Sequence, residues 1–280
     1  MASQRVRNTA FSVALLRALE QHSPPGGRLV DDPLSERMLT GVRGLVARNA
    51  LGRRAFARLL DRSAPGFFGG IVCRTKAFDD ACLEALAAGV GQVVIVGAGM
   101  DTRPYRMAAM RAVRVWELDL PEIQAAKKAA IARVCGHLPP NVHFAPADLT
   151  AEPLAGVLGR LGVRTDRPAL LLAEGVLPYL PRVTAEEIFA CAGGLASGSR
   201  LVFSYLRQDV LESDLYAKRA REFSWQTGFP PERLGALLAA HRLDLVRDLA
   251  AEDFRTLYLR PRGRALPVFD LERTAVAQVV

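Results

Sequence analysis

The tightest constraint on this chain is the stretch VVIVGAGMDTR at residues 93–103. An apolar, β-branched run ends directly in Gly97-Ala98-Gly99. A strand must therefore turn sharply where its backbone can pass close to a ligand. The next apolar run ends in Asp119, 22 positions after Gly97, with Leu120 behind it. An acid there can accept hydrogen bonds from both ribose hydroxyls of a nucleoside cofactor. Dinucleotide-binding chains place a third glycine where this one has Thr102. Its absence weakens the pyrophosphate cradle and disfavours a nicotinamide-dependent oxidoreductase.

Around this unit, apolar runs alternate with helical stretches, the pattern of parallel strands joined by crossover helices. Strands are expected at about 92–97, 113–118, 142–146, 169–173, 200–206, 243–248 and 272–279, and helices at about 76–88, 121–134, 184–195 and 231–241. The fold class is α/β: a Rossmann-like, seven-stranded, mostly parallel sheet with helices on both faces. Residues 1–75 are expected to form a helical lid over the cofactor end of the sheet, and 76–280 the core. An aromatic-rich insertion at about 207–230 carries Tyr216, Phe223, Trp225 and Phe229. The N-terminal stretch holding Arg17 and Glu20 reads as an amphipathic helix rather than a signal peptide.

Composition narrows the partners. Half of the 280 residues are apolar, enough for a sizeable core, yet no run is long enough to span a bilayer. The net charge of +8 comes mostly from scattered arginines; only four of the 37 basic residues are lysines, and no tail of like charge exists. No nucleic-acid partner is expected. Cys73, Cys82, Cys135 and Cys191 are far apart, and no Cys/His cluster has metal-ligand spacing. They read as free thiols of a cytoplasmic protein, with no metal.

Two more stretches bear on a ligand. Asp148-Leu149 follows the third strand, where a carboxylate can take an adenine amine and a leucine can pack on the ring. The competing reading is a helix N-cap. The fourth strand ends in LLLAEGVLPYLP, which brings Glu174 to the carboxyl edge beside the glycine turn. A carboxylate there can hold a ribose hydroxyl or an ammonium. Pro178-Tyr179 lacks the polar residue and double proline found in enzymes that methylate bases.

The segments TAFSVALLRALE (9–20), DDPLSERML (31–39), RTKAFDD (74–80), VGAGMDTRPYRM (96–107), VWELDLPEI (115–123), APADL (145–149), AEGVLPYLP (173–181) and LERTAVAQ (271–278) fall in order along nearly the whole chain. In these the sequence resembles the leucine carboxyl methyltransferase family, especially its bacterial branch, which includes polyketide carboxyl methyltransferases. The resemblance implies S-adenosylmethionine as cofactor. It implies that Arg74 pairs with the methionine carboxylate and that Gly97, with Ala98 and Gly99, lines the cofactor. Asp119 would hold the ribose, with Leu120 also a cofactor-binding position; Asp148-Leu149 would flank the adenine, and Glu174 would face the methionine portion. Asp101 and Arg103 are expected to brace the loop.

Methyl transfer from a sulfonium asks mainly for alignment and exclusion of water. A carboxylate acceptor needs no base, whereas a phenol or alcohol is helped by one. None of His22, His137, His143 and His241 is expected at a carboxyl strand edge, which favours O-methylation of a small-molecule carboxylate. A hydroxyl acceptor, or cofactor binding without catalysis, remains the alternative. Tyr179, Tyr205 and Arg207 are the candidates for positioning the acceptor.

Overall fold

A computed structural model describes residues 2–280, with side chains from Thr9 onward. Its strands are β1 (Gln92–Val96), β2 (Arg114–Asp119), β3 (Val142–Pro146), β4 (Ala169–Ala173), β5 (Arg200–Arg207), β6 (Gly228–Phe229), β7 (Leu243–Leu249) and β8 (Glu272–Val279). They form one sheet in the order β3-β2-β1-β4-β5-β8-β7, with the two-residue β6 beside β5. The first five strands run parallel; β8 is antiparallel to both β5 and β7. The seven expected strands are all present. Only β6, too short to show any periodicity, was not foreseen.

The helices are α1 (Ala2–Glu20), α2 (Pro33–Met38), α3 (Gly41–Arg48), α4 (Ala50–Ser63), α5 (Phe67–Ala87), α6 (Arg103–Arg106), α7 (Pro121–Cys135), α8 (Leu154–Arg160), α9 (Arg182–Gly193), α10 (Gln208–Glu212), α11 (Asp214–Phe223), α12 (Pro231–Ala239) and α13 (Ala251–Phe254). β1 and β4 are buried along their whole length, as strands covered on both faces must be. One face packs Phe189, Phe203, Phe229 and Leu171 under α9 and α12, and the other packs Phe78, Val93, Ile95 and Val202 under α5. Among the described residues no helix is long and apolar enough to cross a membrane.

The expected boundary at residues 75 and 76 falls inside α5, a continuous helix of 21 residues. The N-terminal segment is therefore joined to the core by a shared helix rather than by a linker. The amphipathic reading of α1 is also corrected, since Arg17 and Glu20 are both buried. Each is neutralised from a distant segment: Arg17 Nε donates to Asp32 Oδ2 at 2.9 Å, and Arg264 Nη1 donates to Glu20 Oε1 at 2.6 Å.

Candidate functional site

The carboxyl ends of β1, β2 and β4 open into a cavity of about 560 Å³, closed by α1, the start of α5 and the 207–230 insertion. All nine expected cofactor positions line it: Arg74, Gly97, Ala98, Gly99, Asp119, Leu120, Asp148, Leu149 and Glu174.

The glycine turn is held open by its own backbone. Gly97 sits at φ +61° and Gly99 at φ +41°, the left-handed region where a side chain is strained. A Cβ on Gly97 would lie 2.5 Å from Val176 Cγ2. The turn is fixed to β2 by the Ala98 N–H donating to the Leu118 carbonyl at 2.8 Å, and by the Gly99 N–H donating to Asp119 Oδ2 at 2.6 Å. Asp119 Oδ1 accepts from the Leu120 N–H at 2.7 Å. A carboxylate offers about four lone-pair positions, so two remain for a ligand. Burial pushes the Asp119 carboxyl upward, against these two amide hydrogen bonds.

Below the turn, Lys127 and Glu117 are fully buried with Nζ 2.8 Å from Oε1. This is a contact between charges; neither Glu117 oxygen is aligned for a hydrogen bond. Lys127 donates instead to the Ala98 carbonyl at 3.2 Å. Burial raises Glu117 to about 7, despite Lys127.

Thr102, the position of the missing third glycine, ties the turn to the N-terminal segment. Its hydroxyl donates to Asp32 Oδ2 at 2.7 Å, the same oxygen that accepts from Arg17. Arg17 also donates to the Met100 carbonyl. A β-carbon and hydroxyl at this position therefore serve α1 and α2, and neither is aimed at a phosphate.

Arg74 is the largest departure from what its position suggests. It is buried, with Nε donating to Glu174 Oε1 at 3.0 Å and Nη1 donating to Glu272 at 2.9 and 2.7 Å. Only Nη2, which faces Gly175, has no carboxylate on it. Burial opposes the Arg74 charge, but Glu272 and Glu174 more than offset it and keep it protonated. Glu174 also meets Arg103 Nη2 at 2.7 Å. Burial raises its carboxyl, and Arg103 and Arg74 bring it below the ordinary value. Arg103 reaches Asp101 at 2.6 Å and Asp79 at 2.7 Å, so the pair braces the loop. Burial works against the Asp101 charge, yet Arg103 and Lys127 hold it at about 2. Glu272, at the start of β8, was missed in the sequence because a charge opening a strand reads as an exposed end. Its burial beside Arg74 depends on β8 folding back along β5.

At Asp148, Oδ1 accepts from the Thr150 N–H at 2.9 Å and from its hydroxyl at 2.6 Å. This closes a local turn and leaves the second oxygen for the cavity. Tyr179 lines the cavity, and burial raises its phenol. The other two acceptor candidates are corrected. Tyr205 is fully buried and donates to Asp248 on β7 at 2.8 Å. Arg207 points outward and pairs with Asp209 and Asp270. Neither lines the cavity: at the end of β5 it is Leu206 that does so, and alternation along the strand turns Tyr205 and Arg207 to the other face. In their place, α11 and the turn after it bring Arg219, Glu222, Phe223 and Trp225 to the cavity wall, opposite Phe67 and Phe269.

Residues 10–192 match the leucine carboxyl methyltransferase family. A Mycobacteroides abscessus protein named "Putative S-adenosyl-L-methionine-dependent methyltransferase" is 35% identical over 252 residues, 87% of this chain and 80% of its own length. A Mycobacterium avium protein of the same name is 29% identical over 257 residues, covering 88% of this chain and 82% of its own. Among solved structures, one titled as a putative methyltransferase from Thermobifida fusca aligns with a TM-score of 0.61 at 20% identity, over 88% of this chain and 93% of its own, and so shares the fold. The chain belongs to the leucine carboxyl methyltransferase family and is an S-adenosylmethionine-dependent methyltransferase.

Proposed function

We propose that this protein is an O-methyltransferase that esterifies a carboxylate on a small organic acceptor. The observation that carries the reading is what the cavity wall lacks: among the described residues no histidine lines it. Its buried acids Glu174, Glu272 and Asp101 are already paired with arginines, and the Tyr179 phenol is raised rather than lowered. With Asp119 given to the ribose, a hydroxyl acceptor would find no free buried base there, whereas a carboxylate arrives ionised.

The cofactor roles follow from the positions and fit the geometry. Asp119 has two lone-pair positions free for the ribose hydroxyls, and Asp148 keeps one oxygen for the adenine amine beside Leu149. Gly97, Ala98 and Gly99, with Leu120, bring backbone close to the ligand. Arg74 would meet the methionine carboxylate through Nη2, and Glu174 would face the ammonium. When bound, the sulfonium supplies an electrophilic methyl group: a carboxylate oxygen forms the new C–O bond while the S–C bond breaks and its electron pair returns to sulfur. No proton moves, so the chain's task is to bind, align and keep out water.

The test is incubation with labelled methyl donor and a panel of carboxylic acids, phenols and alcohols, followed by mild alkali. Methyl esters release labelled methanol and ethers do not. Label that survives alkali in every product would overturn the carboxylate reading.

A further inference from the structure

Among the described residues three arginines line the cavity: Arg17, Arg74 and Arg219. Arg17 is paired with Asp32, and Arg74 with Glu174 and Glu272. Arg219 has no carboxylate partner among the described residues. Its guanidinium donates to the Ser63 carbonyl at the last turn of α4, a contact made on the solvent side of the cavity. Among the described residues it is therefore the one lining guanidinium with no carboxylate within ion-pair distance.

The surfaces nearby are apolar and flat. Phe223 stacks on Trp225 with ring centroids 5.3 Å apart and planes 15° from parallel, and Phe67 stacks on Phe269 at 5.6 Å and 25°. The Phe223-Trp225 wall is fastened to the turn after β4: the Gln226 N–H donates to the Pro178 carbonyl at 2.7 Å, and the Thr227 hydroxyl donates to the Leu180 carbonyl at 2.6 Å. The turn that holds Tyr179, next to Glu174, thus also fixes the aromatic wall.

We propose that Arg219 is the specificity-determining residue for the acceptor, and that the acceptor is an organic carboxylate with a flat, apolar body held between these aromatic walls. The proposal rests on the carboxylate reading above. A planar guanidinium matches a carboxylate, and a weakly hydrated one is well suited to doing so at an apolar boundary. A second consequence favours turnover. Methylation converts the anion into a neutral ester, so the attraction that draws the substrate in is lost in the product.

The test is calorimetric titration of protein saturated with S-adenosylhomocysteine, using 2-naphthoate, its uncharged analogue 2-naphthamide, and acetate, which has the charge without the body. Wild type should bind 2-naphthoate about tenfold or more tightly than 2-naphthamide, the scale of a charged hydrogen bond, and acetate far more weakly than either. Arg219→Gln should remove the difference between the two naphthyl ligands while leaving S-adenosylhomocysteine affinity unchanged, and Arg219→Lys should keep part of it. Equal binding of naphthoate and naphthamide, naphthoate binding unchanged in Arg219→Gln, or no naphthoate binding at all overturns the proposal. The carboxylate reading fails separately. If Arg219-dependent naphthoate binding were found while only hydroxyl acceptors were methylated, esterification would fall and Arg219 would remain an anion-recognising residue. If methyl esters formed equally well in Arg219→Gln, Arg219 would fall and esterification would stand.

Discussion

Replacing Asp119 with asparagine separates two jobs that one carboxylate performs. In the structure Oδ2 accepts from Gly99 and Oδ1 from Leu120. Asparagine has a single acceptor oxygen, so one of these backbone N–H groups loses its partner and faces an NH₂ instead. An unsatisfied buried donor costs about 1–3 kcal/mol, and the surviving hydrogen bond falls from charged to neutral strength, about 1 kcal/mol less. Burial already disfavours the Asp119 charge, and neutralising it recovers part of this. The net expectation is a loss of about 2 kcal/mol in the stability of the cofactor-free protein. Cofactor affinity should fall by a further factor of about 10–100, because the remaining lone pairs no longer belong to an anion. Thermal unfolding without ligand measures the first quantity, and titration with S-adenosylhomocysteine the second. 5′-Methylthioadenosine, which keeps the ribose, should lose as much affinity as the full cofactor. A folded Asp119→Asn protein with unchanged stability and unchanged affinity would refute both roles.

Arg74→Lys should weaken binding of S-adenosylmethionine while leaving 5′-methylthioadenosine unaffected in the same titrations, since an ammonium cannot serve two glutamates and a third carboxylate at once. Gly97→Ala should lower the melting temperature and abolish measurable S-adenosylhomocysteine binding, because its Cβ would strike Val176 at a left-handed φ. Glu272→Gln removes the excess negative charge of the Arg74, Glu174 and Glu272 trio. It should reduce affinity for the cationic donor more than for its neutral product, as seen in the ratio of the two dissociation constants. Glu117 binds its proton up to about 7 when folded, against 4.5 as the ordinary value. Folded protein thus holds a proton that unfolded chain has released, and stability should fall as pH rises between those values; Glu117→Gln should flatten that decline in a series of thermal melts.

The sheet was legible because its strands are continuous apolar runs bounded by turns, and the glycine turn and its acid carry their own geometric requirement. The walls of the site were less so. Arg17 and Glu20 looked like the polar stripe of a surface helix, because the groups that neutralise them lie 15 and 244 residues away. Tyr205 and Arg207 were assigned to the acceptor on the premise that β5 ends at an open crevice. The strand does end there, but through Leu206; alternation sends its neighbours Tyr205 and Arg207 to the other face. Residues 251–271 give Phe269 and Leu271 to the cavity, yet they fold as short α, π and 3₁₀ turns over 251–262 followed by irregular chain, which carries no hydrophobic period to read.

The two sides of the cavity differ in how costly they are to disturb. On the α1 side, the contacts to the glycine turn are buried and charged: Arg17 bridges Asp32 and the Met100 carbonyl, and Thr102 shares Asp32. Removing either partner of such a pair leaves a buried charge uncompensated, at a cost of about 3–5 kcal/mol, a large part of the 5–15 kcal/mol that holds a domain folded. On the opposite side, neither α4 nor α11 contains a buried residue, and among the described residues the one hydrogen bond between them runs from Arg219 to the Ser63 carbonyl. Exposed polar contacts of this kind contribute about 1 kcal/mol or less. The glycine turn is thus held by buried charged contacts, and α4 meets α11 only through an exposed one. A methyltransferase that must keep its methyl donor aligned while exchanging acceptor for product is served by that division.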